Sequence, residues 1–167
     1  MSIVNDESHI HVTLVNTLIA KNMSIAVAES CTGGLIASKI TAVPGASAVF
    51  LCGVCSYSNQ SKVDFLGVST ETLKAHGAVS REVALEMARG IRQRSGASIG
   101  LSTTGIAGPA GGTLEKPIGL VWIAISADGF EEASMLNLGG SGVDGEREII
   151  RNAACYNAMK LVVESIQ

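Results

Sequence analysis

Apolar residues recur along this chain with two alternating periods, and the alternation lays out its elements. A helical spacing over 7–21 sets Val12, Leu14, Val15, Leu18 and Ile19 on one side and stops at Lys21-Asn22. Strand-forming runs follow at 24–30, 48–57 and 97–103, the second reading as a buried strand. Between the first two, 33–42 has helical spacing and ends before Pro44-Gly45. Ser58-Asn59 caps a short helix that closes at Gly67. Residues 70–75 add a helical turn ended by His76-Gly77, with His76 as a terminal residue and not a catalyst. Ser80 then opens a helix to about Arg94, with Val83, Leu85, Met87, Ala88 and Ile91 on its apolar side. Strands at 118–127 and 131–138 meet at Asp128-Gly129, a hairpin signal, and a last helix runs from about Glu146 to the end. Alternating strands and helices with one hairpin predict an α/β fold. It is a three-layer α/β/α sandwich around a mixed five-stranded sheet, in one domain over residues 1–167.

Composition narrows the partners. Of the 167 residues 47% are hydrophobic and 16% charged, so much of the chain has to lie between layers. The net charge of −3, with no cluster of Lys and Arg, argues against nucleic acid as a partner. No run approaches the roughly 18 apolar residues that span a bilayer, and the first residues lack the regions of a signal peptide. A cytoplasmic protein is expected, with its oligomeric state open, a homo-oligomer included. Cys52-Gly53-Val54-Cys55 has redox or half-zinc-site spacing, but it falls in a strand run, whereas redox pairs open helices. With Cys31 and Cys155 the remaining cysteines, and His9, His11 and His76 the only histidines, no tetrahedral metal site assembles. No metal or organic cofactor is expected, and the cysteines read as small core residues.

Ala28-Glu29-Ser30-Cys31-Thr32-Gly33-Gly34 carries the candidate chemistry. It joins the first strand to the second helix, so Ser30 or Cys31 becomes a nucleophile on a strand-to-helix turn. The N–H groups of Thr32, Gly33 and Gly34 then stand as donors for an oxyanion or a phosphate. The plainer reading makes Ser30 or Thr32 a helix cap. Lys62 stands in the first turn of its helix, where dipole and burial both lower an ammonium pKa and suit a base; Tyr57 ends the preceding strand. A solvated surface lysine is the competing reading.

The loop 103–113 holds Gly105, Gly108, Gly111 and Gly112 and follows a strand, where open α/β sheets place ligands. Arg147 and Arg151, four apart, share a face at the start of the last helix and can grip a phosphate or orient a loop. The G-x-G-x-x-G match at 140–145 has no later strand to complete a dinucleotide unit. G-x-S-x-G, S-x-x-K and the P-loop pattern are absent.

The ordered blocks Ala28 to Gly34, Tyr57-Ser58-Asn59 with Lys62, Leu66-Gly67-Val68, Gly77-Ala78-Val79-Ser80 and Thr104-Gly105-Ile106-Ala107-Gly108-Pro109 resemble the CinA C-terminal domain family. Gly111-Gly112-Thr113, Lys116-Pro117 and Gly119 continue the likeness, which covers roughly residues 10–165. The resemblance implies the same three-layer fold and a nicotinamide-nucleotide amidase. Such an enzyme turns nicotinamide mononucleotide and water into nicotinate mononucleotide and ammonia. It makes Ser30 the nucleophile and Lys62 the base with Tyr57 beside it, and Thr104 and Arg147 substrate contacts. The family often has Gly-Asp-Arg where this chain has Gly145-Glu146-Arg147, behind an extra Gly-Ser-Gly. Its longer members carry a second, N-terminal domain resembling molybdopterin-binding proteins. The other function the family suggests is a non-catalytic nucleotide-sensing or protein-binding module tied to competence or DNA damage.

Overall fold

The computed structural model describes residues 9–139 and 146–167. The chain runs α1 (Ile10–Lys21), β1 (Ile25–Glu29), α2 (Leu35–Thr41), β2 (Phe50–Cys55), α3 (Asn59–Leu66), α4 (Thr70–His76), α5 (Arg81–Ser95), β3 (Ile99–Gly105), β4 (Leu120–Ala127), β5 (Phe130–Asn137) and α6 (Glu146–Ser165). The sheet order is β2-β1-β3-β4-β5. β1 pairs in parallel with both β2 and β3, and β3/β4 and β4/β5 are antiparallel, so the five-stranded sheet is mixed. Helices α1, α2 and α6 cover one face and α3, α4 and α5 the other. Among the described residues no helix is long and apolar enough to cross a membrane.

β1 lies inside the sheet with all five residues buried, and its two faces feed different cores. Ile25 and Val27 join Leu14, Leu18, Ile36, Ile40 and Met159 beneath α1, α2 and α6, whereas Ala26 and Ala28 meet Leu66, Val83, Met87 and Ile91. The second face is built from small residues. Ala84 and Ala88 of α5 pack on Ala124, and the Ser102 hydroxyl donates to the Ala84 carbonyl at 2.6 Å. A Cβ added at Gly100 would stand 2.0 Å from the Ala88 carbonyl oxygen, so α5 can lie this close only over a glycine. The close approach fixes α5, whose N-terminal side forms one wall of the cleft described below.

Several boundaries differ from the sequence expectation for identifiable reasons. α2 begins at Leu35, not 33, because Gly33 and Gly34 both take positive φ. A 3-10 turn at Ala46–Ala48 delays β2 to Phe50. β3 continues to Gly105 because Thr104 and Gly105 still pair with Trp122 and Val121. The reading of 48–57 as a buried strand is corrected: β2 is at the sheet edge, half its residues are exposed, and Cys55 is exposed with them. Cys52 and Cys55, three apart on a strand, face opposite sides of the sheet and cannot form a pair. The Asp128-Gly129 hairpin is as expected, with Ala127 opposite Phe130 and Gly129 at φ 68°. The expected helix start at 7 and the glycine pattern at 140–145 lie outside the described residues.

Gly100→Ala is expected to lower the unfolding free energy by at least about 1–3 kcal/mol, the usual range for overpacking. Urea denaturation followed by circular dichroism measures it. A midpoint equal to wild type would mean that α5 can back away from β3 freely.

Candidate active site

The carboxyl ends of the three parallel strands converge, and the chemistry gathers there, at the edge where α/β sheets bind ligands. Ser30 follows β1, Ser56 follows β2, and Thr104 and Gly105 end β3. Two further bonds carry the ladder past the strands: Ser30 N–H donates to the Thr103 carbonyl at 3.0 Å, and Ser56 N–H to the Glu29 carbonyl at 2.8 Å. Ser30 is thereby set beside the α3 helix that follows β2.

α3 starts with a reciprocal cap. The Ser58 hydroxyl accepts from Ser61 N–H at 3.0 Å, and Ser61 Oγ accepts from Ser58 N–H at 3.1 Å. The cap turns Lys62 inward. Its side chain is 1% exposed, and Nζ lies 3.1 Å from Ser30 Oγ while donating to the Ser56 carbonyl at 2.7 Å. Both partners are neutral, so nothing there stabilises an ammonium as a carboxylate would. Burial pushes the Lys62 amine down to about 8, from an ordinary value of 10.5. Cys31, the neighbour of Ser30, is also buried, and chiefly for that reason its thiol is raised to about 11. At neutral pH the thiol stays protonated, while Lys62 is far nearer than a solvated lysine to the free amine that can act as base.

Ser30, Cys31 and Lys62 line a cleft of about 280 Å³. Tyr57, Asn59, Ala78, Val79, Arg147 and the loop from Thr104 to Gly111 complete its walls. Of the residues selected from sequence, Ser30, Lys62, Tyr57, Thr104, Gly105, Gly108, Gly111 and Arg147 therefore meet around one cavity. Arg147 spans its mouth: Nη1 donates to the Gly108 carbonyl, and Nη2 to the Tyr57 hydroxyl at 3.0 Å. Tyr57 is 65% exposed and pairs with Arg147, not with Ser30 or Lys62, so its place is at the rim and not in the proton path. Thr104 is buried, and its hydroxyl donates to the Ala78 carbonyl at 2.8 Å, which holds one wall of the cleft.

Of the expected anion site at the N–H groups of Thr32, Gly33 and Gly34, the Gly33 and Gly34 donors are taken from within the chain. Glu29, 1% exposed, turns its carboxylate onto the start of α2 and accepts from Gly34, Ile36 and Ala37 N–H at 2.9–3.1 Å. Gly33 N–H returns to the Ser30 carbonyl at 3.2 Å. Thr32 is fully buried against Thr103, with 2.8 Å between the hydroxyls. Thr32, Gly33, Gly34 and Gly112 lie off the cleft wall. The helix dipole is thus already complemented by a carboxylate of the chain itself. Free donors occur instead on the facing loop. Among the described residues nothing accepts from the N–H groups of Ala107 and Gly108, which are buried in the cleft wall.

Two positioning residues, Glu29 and Lys116, were not among the sequence candidates, and Arg151 takes the loop-orienting role that its spacing from Arg147 allowed. Glu29 was read only as part of a motif. Arg151 donates from Nε to the Cys31 carbonyl at 3.2 Å and from Nη2 to the Thr32 carbonyl at 2.8 Å, so it orients the turn that carries Ser30. Lys116 donates to the His76 and Val79 carbonyls at 2.6 and 2.8 Å, fixing the wall that Thr104 also holds. The i, i+4 arginines signalled loop orientation as one option; nothing local marked Lys116. The Ser56 hydroxyl is buried without a partner among the described residues. Those residues also hold no group of three or more His, Cys, Asp and Glu able to bind a metal.

The family model of the CinA C-terminal domain matches residues 7–166. The chain belongs to the CinA C-terminal domain family. A CinA-like protein of Kosmotoga olearia is 49% identical over 156 residues, covering 93% of this chain and 37% of that protein. A competence-damage inducible protein of Clostridium botulinum strain Loch Maree is 46% identical over 160 residues, 96% of this chain and 38% of that one. The chain therefore spans little more than a third of these curated relatives. The crystal structure of the competence/damage inducible protein CihA from Agrobacterium tumefaciens superposes with a TM-score of 0.92 at 40% identity, over 100% of both chains. A CinA superfamily protein from Klebsiella pneumoniae gives 0.89 at 32% identity, over 97% of this chain and 98% of that one.

Glu29→Ala removes the acceptor of three amides and is expected to cost about 2–3 kcal/mol, the worth of a charged helix cap. Glu29→Gln, which keeps one acceptor oxygen, should recover part of the loss. Guanidinium unfolding of the pair tests this; equal stability of Glu29→Ala and wild type would remove the carboxylate from its place in holding α2.

Proposed function

We propose that this domain hydrolyses the carboxamide of nicotinamide mononucleotide, giving nicotinate mononucleotide and ammonia, with Ser30 as nucleophile and Lys62 as base. The observation that carries the reading is the contact between Ser30 Oγ and a buried lysine amine whose pKa burial has lowered toward neutrality. Neutral Lys62 takes the Ser30 proton as Oγ attacks the carboxamide carbon. The oxyanion is held by the unpaired Ala107 and Gly108 amides, a role typically worth about 3 kcal/mol per donor. Lys62 returns the proton to the departing nitrogen, the C–N bond breaks, and ammonia leaves an ester on Ser30. Water, deprotonated by Lys62, attacks that ester. Oγ departs and regains its proton.

The pyridinium charge makes the carbonyl more electrophilic, so the base need not be strong. The substrate phosphate is assigned to Arg147 and to Ala110 and Gly111 of the loop, which line the same cleft. The raised Cys31 pKa supports Ser30 over the adjacent thiol.

Ammonia release from nicotinamide mononucleotide by the purified protein tests the reading. Ser30→Ala should abolish it and Cys31→Ala keep most of it; the opposite pattern would move the nucleophile to the thiol. Turnover should also rise with pH through an apparent pKa near 8, because only the deprotonated amine accepts the Ser30 proton. The same shift has a sign for stability. An ammonium disfavoured in the folded state weakens folding below pH 8, and this penalty fades between about 8 and 10.5. A pH-independent rate across that lower limb would exclude Lys62 as the titrating base.

Nicotinamide riboside, lacking the phosphate, should be a much poorer substrate than the mononucleotide. Arg147→Ala should narrow the difference roughly 10- to 100-fold by raising KM for the mononucleotide. An equal loss for both substrates would make Arg147 a structural residue of the rim.

A further inference from the structure

A second and larger cleft, of about 570 Å³, opens between α1, α2 and α6, away from Ser30. Its walls bring together His11 of α1, Lys39 of α2, and Asn152, Tyr156, Asn157 and Lys160 of α6. Lys39 and His11 are half-buried, and neither makes a hydrogen bond or an ion pair among the described residues. They are close enough to act on each other: the His11 imidazole is held below its ordinary value by burial, then by the Lys39 charge, then by His9. Among the described residues no Asp or Glu lines the cleft. Lys160 has Glu164 at 3.6 Å, an exposed i, i+4 pair of the kind that neutralises little.

In a chain of net charge −3, the half-buried Lys39 ammonium has no counter-ion among the described residues, and beside it lies an imidazole whose protonation an anion would favour, so the cleft holds a local demand for an anion. The rest of the wall asks for more than a bare anion. The Asn152 and Asn157 side-chain N–H groups donate back to the Glu148 and Ala153 carbonyls at 3.0 and 2.8 Å, which leaves their amide oxygens as acceptors. Tyr156 adds a half-buried aromatic ring. Cations, acceptors and an aromatic ring together suit a ligand with a phosphate, hydrogen-bond donors and a planar base. The volume falls in the usual range for small-molecule sites.

We propose that the α1/α2/α6 cleft is a second binding site, separate from Ser30, for a phosphorylated small molecule of the nucleoside monophosphate class. The site stands independently of the amidase reading, because binding there involves none of the catalytic groups.

Calorimetric titration with adenosine monophosphate tests it, with inorganic phosphate and adenosine as separate titrants. The mononucleotide should bind more tightly than either fragment. Lys39→Glu should weaken it at least about tenfold, the scale of one charge-assisted hydrogen bond. Lys74→Ala, on α4 across the sheet, should leave it unchanged, and Arg147→Ala reports any binding in the Ser30 cleft. Thermal unfolding checks that Lys39→Glu is folded, and Lys39→Gln gives the same comparison without charge reversal. Absence of nucleotide binding overturns the proposal. So does equal affinity for phosphate alone, which would describe a bare anion site, or a loss confined to Arg147→Ala, which would put the nucleotide in the Ser30 cleft.

Discussion

An amine buried among neutral oxygens is the constraint around which this domain is organised. Among the described residues Lys62 Nζ has only Ser30 Oγ and the Ser56 carbonyl as hydrogen-bond partners, and no carboxylate among them offsets its charge. A group in that position persists only if its helix cannot swing it back to solvent. The reciprocal Ser58–Ser61 cap, the extension of the β1–β2 ladder through Ser56, and the burial of Leu66 against α5 all hold α3 in place. At the far end of α3, a Cβ on Gly90 of α5 would fall 1.8 Å from the Leu66 carbonyl oxygen. The small residues of α5 are therefore part of what keeps the lysine inside.

The turn that carries Ser30 is held by charges of both signs. Glu29 accepts from the amides at the start of α2, and Arg151 donates to the carbonyls of Cys31 and Thr32. Each end of the peptide dipoles around the nucleophile thus meets a complementary side chain from within the fold. Such a turn is rigid before any ligand arrives, which is what a catalytic serine needs if it is to stay within reach of its base. It also means that the turn has few donors left, whereas the N–H groups of Ala107 and Gly108 in the loop after β3 have no acceptor among the described residues.

What could be read from the sequence was whatever local spacing determines. Ser30 and Lys62 were placed at a strand end and a helix start, and both strand ends lie side by side because parallel strands align their carboxyl ends. The Asp128-Gly129 turn and the caps at Ser58 and Gly67 were equally local. The misreadings share a physical origin in partners distant in sequence. Whether the Gly34 amide is free depends on where Glu29 turns its carboxylate. Whether Tyr57 reaches Lys62 depends on Arg147, 90 residues away. The apolar run of β2 gave no sign that it would lie at the sheet edge, because edge position is a property of strand order and not of the strand's own residues.

Arg147 and Arg151 show how one helix serves two distinct purposes. Residues four apart lie about one turn from each other along the axis, so identical side chains on the same face reach different depths of the site. Arg151 arrives under the Ser30 turn and satisfies carbonyls there, while Arg147 arrives one turn higher, at the cleft mouth, between Gly108 and Tyr57. The deeper arginine is thereby committed to structure and the outer one keeps a bond network that an anion can compete for. Farther along, Asn152, Tyr156 and Lys160 of the same helix line the separate cleft against α1 and α2. α6 is a rigid rod packed on β3 and β4, so a shift along its axis would move both arginines and that cleft wall together.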